Sequence, residues 1–127
     1  MVKRKISRKS QQSNVQQTEM HQVAILQFIS ALVAIEFGVR APLILSSSRG
    51  TTSLCLARHV TAYLAHIVYQ IPIIGIARIL KRDRTSVTYA LHVIEDNRDD
   101  PFFEQKLSNI ERLLVMVPLT LQKLTTT

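Results

Sequence analysis

Apolar residues recur at helical spacing in five segments of the chain, with short polar breaks between them. Neighbours on one helix face are three or four residues apart, and this spacing predicts helices over residues 20–37, 53–69, 72–80, 84–96 and 101–114. The first of these is expected to face inward with Ile25, Phe28, Ile29, Leu32 and Ile35. No segment shows a strand pattern that competes with these helices, so the predicted fold class is all-α.

Capping residues stand at the predicted helix boundaries. Gly38 can end the first helix and Pro42 cannot continue it. Asp83 is a natural N-cap for the helix that starts at Arg84, and Asp100 precedes a helix opened by Pro101. The candidate N-caps of the second helix are Thr51, Thr52 and Ser53.

A chain of 127 residues accommodates one core and its tails. Residues 1–19 are poor in apolar side chains and rich in Lys, Arg, Gln and Ser, which predicts a disordered basic tail. Residues 20–114 form the predicted helical domain, an extra N-terminal helix included. Residues 115–127 are predicted to be a C-terminal tail or a short helix.

The net charge of +7 and the pI of about 10.1 favour an anionic partner. Residues 40–84 hold seven Lys and Arg against one Asp, whereas residues 95–111 are net acidic. The apolar run from Val23 to Val39 contains polar residues and is shorter than a membrane span, and no cleavage site follows it. We therefore expect a cytoplasmic, nucleoid-associated protein without a membrane partner.

Two short amphipathic helices around a polar break, residues 72–96, match the helix-turn-helix pattern. In that motif the second helix enters the major groove of DNA, where Arg can bind guanine and Ser or Thr can bind several bases. The expected reading residues are Arg84, Thr85, Ser86 and Tyr89, with Lys81 and Arg82 near the DNA backbone. The alternative from the pattern alone is a capped, solvated helical hairpin.

The sequence around this motif resembles the C-terminal DNA-binding domain of the bacterial replication initiator DnaA. The resemblance covers residues 47–96. It rests on Arg82-Asp83-Arg84-Thr85-Ser86-Val87 and on the helix that carries Arg58, Tyr63, Leu64 and Ala65. No phosphate-binding loop of an ATPase is present, so the chain looks like the stand-alone helix-turn-helix relatives from alphaproteobacteria.

The resemblance implies a role for each matching residue. Arg49 corresponds to the basic loop that reaches into the minor groove. Phosphate contacts are implied for Arg58, His59 and His66, and base reading for Asp83, Arg84, Thr85 and Ser86. This chain departs from the family pattern in having Arg84 in place of His and Lys81 in a turn that usually carries two Gly. Its basic loop also has fewer cations.

The resulting expectation is a sequence-specific, double-stranded-DNA-binding transcriptional regulator. An activator of a gene-transfer-agent or prophage-like cluster is one form of it. The alternatives are a regulator that binds a replication origin and a helical protein–protein adaptor. The four histidines and Cys55 lack metal-ligand spacing and no catalytic frame is present, so neither a cofactor nor enzymatic activity is expected.

Helix 20–37 is apolar around most of its circumference, which suggests a second surface. Leu26, Val33 and Phe37 lie off the expected inward stripe. They are candidates to bind a second copy of the chain or another transcription protein. Alternatively, residues 115–124 fold back over them and leave a monomer.

Overall fold

A computed structural model describes the backbone of residues 2–47 and 49–116, and the side chains of residues 17–47 and 49–116. Six helices and no strands occur within these ranges, which confirms the all-α prediction. They are α1 (Val2–Phe37), α2 (Ala41–Ile44), α3 (Thr52–Ile67), α4 (Ile73–Leu80), α5 (Arg84–Asn97) and α6 (Pro101–Met116). The part of the predicted C-terminal tail beyond Met116 lies outside the described residues.

Side-chain caps fix the starts of three helices where the sequence predicted them. The Thr51 hydroxyl accepts the N–H three residues later, at 3.2 Å. The Asp83 carboxylate does the same at 2.7 Å, and Asp100 accepts the Phe102 N–H at 2.9 Å. Each cap satisfies a backbone donor that has no partner within its helix.

α1 begins much earlier than predicted. The backbone of residues 2–19 continues the helix, so the prediction of a disordered tail is wrong there. Lys, Arg and Gln, which dominate this segment, are good helix formers. The first Gly of the chain is Gly38 and the first Pro is Pro42, so nothing interrupts the helix before its end.

The core forms around α3, which packs against α1, α2, α4 and α5. α1 contributes Leu26, Ile29 and Val33, all fully buried, whereas Ile35 is 79% exposed. The prediction of Ile35 as an inward residue is therefore wrong, as is that of Leu26 and Val33 as partner-binding residues. Burying each large apolar side chain contributes about 1.5–3 kcal/mol, so this face holds α1 on the domain.

The segment Gln17–Phe37 of α1 would also be long and apolar enough to cross a membrane by length and composition. A helix in the core of a soluble protein passes the same test. Leu26, Ile29 and Val33 pack in one cluster with Leu64, Leu107 and Ile110 of other helices. This packing is that of a core helix.

α6 closes the domain against α1 and against the end of α5. The rings of Phe37 and Phe103 pack with centroids 5.9 Å apart. Arg98, just after α5, forms a two-bond ion pair with Glu104 at 2.7 Å and also pairs with Glu111 at 2.9 Å. These carboxylates, Glu104 first, raise the pKa of Arg98. In the acidic segment 95–111, Glu104 and Glu111 thus join the end of α5 to α6.

Candidate nucleic-acid interface

α4, the turn 81–83 and α5 form the predicted helix-turn-helix. Ile76, Leu80 and Val87 are buried and join the two helices to the core. Lys81 ends α4 in the left-handed region, at φ 55° and ψ 45°. Its N–H donates to the Arg78 carbonyl, and the Arg82 N–H donates to the Ala77 carbonyl at 2.9 Å. This is the Schellman arrangement, in which the left-handed residue is usually glycine.

We predict that Lys81→Gly stabilises the protein by about 0.5–1 kcal/mol, because glycine occupies the left-handed region without steric strain. The same change should weaken binding to specific and scrambled duplexes equally, since the sequence predicts Lys81 to lie near the DNA backbone. Thermal unfolding and fluorescence anisotropy measure the two effects. Lys81→Ala is the control: it removes the charge but keeps a Cβ, so equal stabilisation by alanine would contradict the argument from strain.

An open groove of about 680 Å³ lies between the loop after α2, α3 and the first turns of α5. The basic loop contributes Arg49, α3 contributes His59, and the turn contributes Arg82. Four residues of the α5 end line the same groove, namely Asp83, Thr85, Ser86 and Tyr89. The structure thus brings together, on one surface, most of the residues that the sequence proposed for DNA contact.

Asp83 acts in the groove as a cap. The backbone N–H of Ser86 donates to its Oδ1, and this bond is the main reason why the pKa of Asp83 is lowered. Its charge stabilises the N-terminus of α5. The Thr85 and Ser86 side chains are exposed, and the Ser86 side chain adds a second hydrogen bond that lowers the pKa of Asp83.

His59 and Tyr89 meet across the groove. Their rings stand edge to face, with centroids 6.2 Å apart, and Tyr89 is 65% exposed. Burial lowers the pKa of His59, and repulsion from Arg82 lowers it further. The neutral imidazole is therefore favoured at neutral pH. His59 packs against the Tyr89 ring as an uncharged aromatic side chain and not as a cation.

We predict that His59 makes the free protein less stable at acid pH. Its folded-state pKa lies below its unfolded value, so the unfolded chain takes up the proton first as the pH falls below about 6.5. His59→Gln should therefore reduce the loss of unfolding free energy between pH 7 and pH 5. Urea unfolding at a series of pH values measures this. His92→Gln, at an exposed position of α5, is the matched control, and an equal effect there would contradict the prediction.

Arg58, for which the resemblance implies a phosphate contact, lines the groove but is largely buried in the protein. It is only 6% exposed, and its Nε donates to the Ile44 carbonyl at 2.9 Å. Its Nη2 donates to the Leu43 carbonyl at 2.8 Å and to the Ser46 hydroxyl at 3.2 Å. Burial, and then Arg82, lower its pKa. Arg58 therefore holds α2 and the loop that leads to Arg49.

His66 and Arg84 do not line the groove. Nδ1 of His66 lies 2.9 Å from the Ile71 carbonyl, so this ring ties the end of α3 to the connection with α4. The phosphate contact that the resemblance implies for His66 stays a prediction. Arg84 and Lys81 are exposed beside the groove, at the start of α5 and in the turn.

The sequence reasoning missed Cys55 as a residue of this surface. Its thiol is exposed and lines the groove together with Ala62. Both lie on the α3 face that carries Arg58 and His59, at positions 55, 58, 59 and 62. That spacing was the available signal, but an apolar or thiol side chain does not by itself indicate DNA contact.

The sequence model of a family described as the bacterial dnaA protein helix-turn-helix matches residues 26–94. The chain belongs to this family. The match extends from the last third of α1 through most of α5, so it includes the groove and the helix-turn-helix. The resemblance drawn from the sequence is thereby confirmed. The first two thirds of α1 and all of α6 lie outside the match.

A solved structure titled as a DNA replication initiation factor has the same fold. It shares 27% sequence identity with a TM-score of 0.69, over 87% of this chain and 34% of that one. The chain thus spans about a third of that protein's length. No curated protein matches the chain. Membership of the DnaA helix-turn-helix family supports double-stranded DNA as a partner.

Proposed function

We propose that this DnaA-like domain is a sequence-specific regulator of transcription that reads the major groove with the helix beginning at Arg84. The observation that carries the proposal is the groove itself. It gathers Arg49, His59 and Arg82 from three separate elements around the exposed start of α5. The two arginines can bind phosphates while Arg84, Thr85 and Ser86 meet base edges.

The proposed activity is binding, in the cytoplasm and on the nucleoid, without a catalytic step. The groove presents arginines, a neutral-favoured histidine and hydroxyls, with its carboxylate engaged as a helix cap. Such a donor set suits phosphate and base contacts. Activation of transcription from a gene-transfer-agent or prophage-like cluster is one form of the same proposal.

Selection from a pool of random duplexes tests the proposal directly. The full chain should enrich a defined sequence, and its affinity for that duplex should fall linearly in log [salt]. Arg112→Ala removes an exposed cation of α6, far along the chain from the groove residues. As a control for net charge, this variant should enrich the same sequence as the wild type. Enrichment of no sequence, or an affinity independent of salt, would favour the adaptor reading.

A replication-origin regulator is the second candidate, favoured by the resemblance to a replication initiation factor. Immunoprecipitation of the protein with its DNA separates the two. Promoter sites support transcriptional regulation, and sites clustered at the origin support the second candidate.

Self-association through α1 is also a proposal. The exposed face of α1 carries Met20, Ala24, Ala31 and Ile35, with Met20 69% and Ile35 79% exposed. A second copy on this face would give paired half-sites, which lengthen a short footprint. Light scattering should then show a dimer that Ile35→Glu dissociates. A monomeric wild type that requires a different transcription protein for promoter binding would favour the hetero-partner instead.

A further inference from the structure

The first half of α1 precedes the described residues of this helix that pack in or against the core, which begin at Ile25. The helix runs for 36 residues, and near its middle Glu19 pairs with Arg78 of α4. Residues 2–18 therefore continue as a helical arm. At about 1.5 Å per residue, seventeen residues extend about 25 Å beyond Glu19.

Two contacts with α4 set the direction of this arm. The Gln22 Oε1 lies 2.8 Å from the position that a Cβ on Gly75 would occupy. Three residues earlier in α1, Glu19 pairs with Arg78 at 2.6 Å, and Arg78 stands three residues later in α4. The two helices thus run in opposite directions at this point. Continuing α1 toward its start leads past the C-terminal end of α4, which is the end joined to the turn 81–83.

The arm carries concentrated positive charge. Residues 2–18 contain five Lys and Arg and no Asp or Glu. By helical register, positions 4, 5, 8 and 9 fall within an arc of about 140° that includes position 19. These four positions therefore share the side of α1 that meets α4. They stand about 15–23 Å beyond Glu19 along the helix axis.

The composition of the arm favours a nucleic-acid backbone over a lipid surface. A helix that lies in a membrane interface needs a broad apolar face beside its charges. The only apolar residues of the arm are Val2, Ile6 and Val15. Duplex DNA needs only cations at the spacing of its phosphates.

We infer that residues 2–18 of α1 are a DNA-binding arm that contacts phosphates flanking the sequence read by α5, on the side of the turn 81–83. The inference rests on the proposed function, because the direction matters only if α5 occupies the major groove. The cations would reach about four to seven base pairs along the duplex, at ~3.4 Å per pair. The Glu19–Arg78 pair positions the arm.

The test uses the full chain and three duplexes carrying the selected core sequence: one with no flank, and one with a ten-base-pair flank on either side. Wild-type protein should bind one flanked duplex about five- to tenfold more tightly than the other two. The double variant Arg4→Gln/Arg8→Gln should lose that gain, and its salt slope should fall by about 1.8. Lys106→Gln/Arg112→Gln removes the same charge from α6 and is the matched control.

The outcomes separate the arm from the reading helix. If wild type prefers the core sequence but gains nothing from either flank, or if the arm variant behaves as the α6 control does, the inference is overturned and the proposed function stands. If wild type prefers no sequence at all, the proposed function fails and the inference fails with it. A further outcome is that the arm variant no longer binds vesicles containing phosphatidylserine but keeps the affinity gain from the flank. That result would assign the arm to membranes and also overturn the inference.

Discussion

Replacing Arg58 by alanine should lower the free energy of unfolding by about 2–4 kcal/mol and abolish most DNA affinity. The guanidinium donates to the carbonyls of Leu43 and Ile44 and to the Ser46 hydroxyl. Alanine leaves the buried Ile44 carbonyl without the Arg58 donor, whereas the Leu43 carbonyl still accepts from the Ser46 hydroxyl, and an unsatisfied buried group costs about 1–3 kcal/mol. Urea unfolding and anisotropy with the selected duplex measure the two losses.

DNA affinity should fall because Arg58 hydrogen-bonds α2 and the loop that leads to Arg49 and so fixes their position. Release of Ile44 frees α2 and the chain that leads to Arg49, so the basic loop no longer faces α5. Arg58→Lys keeps the charge but cannot form the planar set of hydrogen bonds. It should therefore lose nearly as much stability as the alanine variant.

Arg49→Ala is the contrasting variant, because Arg49 is exposed and does not hold another element in place through a buried side chain. It should weaken DNA binding with little change in stability. If instead Arg58→Ala folds as stably as wild type and only its salt slope falls by about one, Arg58 is a phosphate contact as the sequence first indicated.

Arg84→Ala should reduce discrimination between the selected and scrambled duplexes by about 1–3 kcal/mol, or about 5- to 150-fold. Arg84 is exposed at the first position of α5, next to the Asp83 cap. An arginine there can bond O6 and N7 of one guanine at once, and that pair of bonds is lost entirely with alanine. Competition binding with both duplexes measures the ratio of the two affinities.

Arg84→Lys separates geometry from charge, because lysine keeps the cation but cannot make the paired bonds in one plane. It should retain binding to the scrambled duplex and lose preference for the selected one. Equal loss of affinity for both duplexes in Arg84→Ala would make Arg84 a phosphate contact and would refute its base-reading role.

The local signals in the sequence were sufficient for most element boundaries and for the helix-turn-helix. Caps act within three residues of the chain, so Thr51, Asp83 and Asp100 mark helix starts without reference to distant residues. The same holds for the chemistry of α5, where Arg84, Thr85 and Ser86 follow directly on a cap. The resemblance to the DnaA domain depended on this same short run.

Only the tertiary structure decided which sides of α1 and α3 are buried. Periodicity shows which positions share a face, but residues 20–37 of α1 are apolar around most of the helix, so their pattern did not distinguish Leu26 and Val33 in the core from Ile35 in solvent. On α3, Arg58 and His59 are neighbours in sequence, yet one supports a loop while the other faces the groove. The physical reason is that burial of a polar side chain depends on acceptors supplied by another element, here the carbonyls at the end of α2, fourteen and fifteen residues away in sequence.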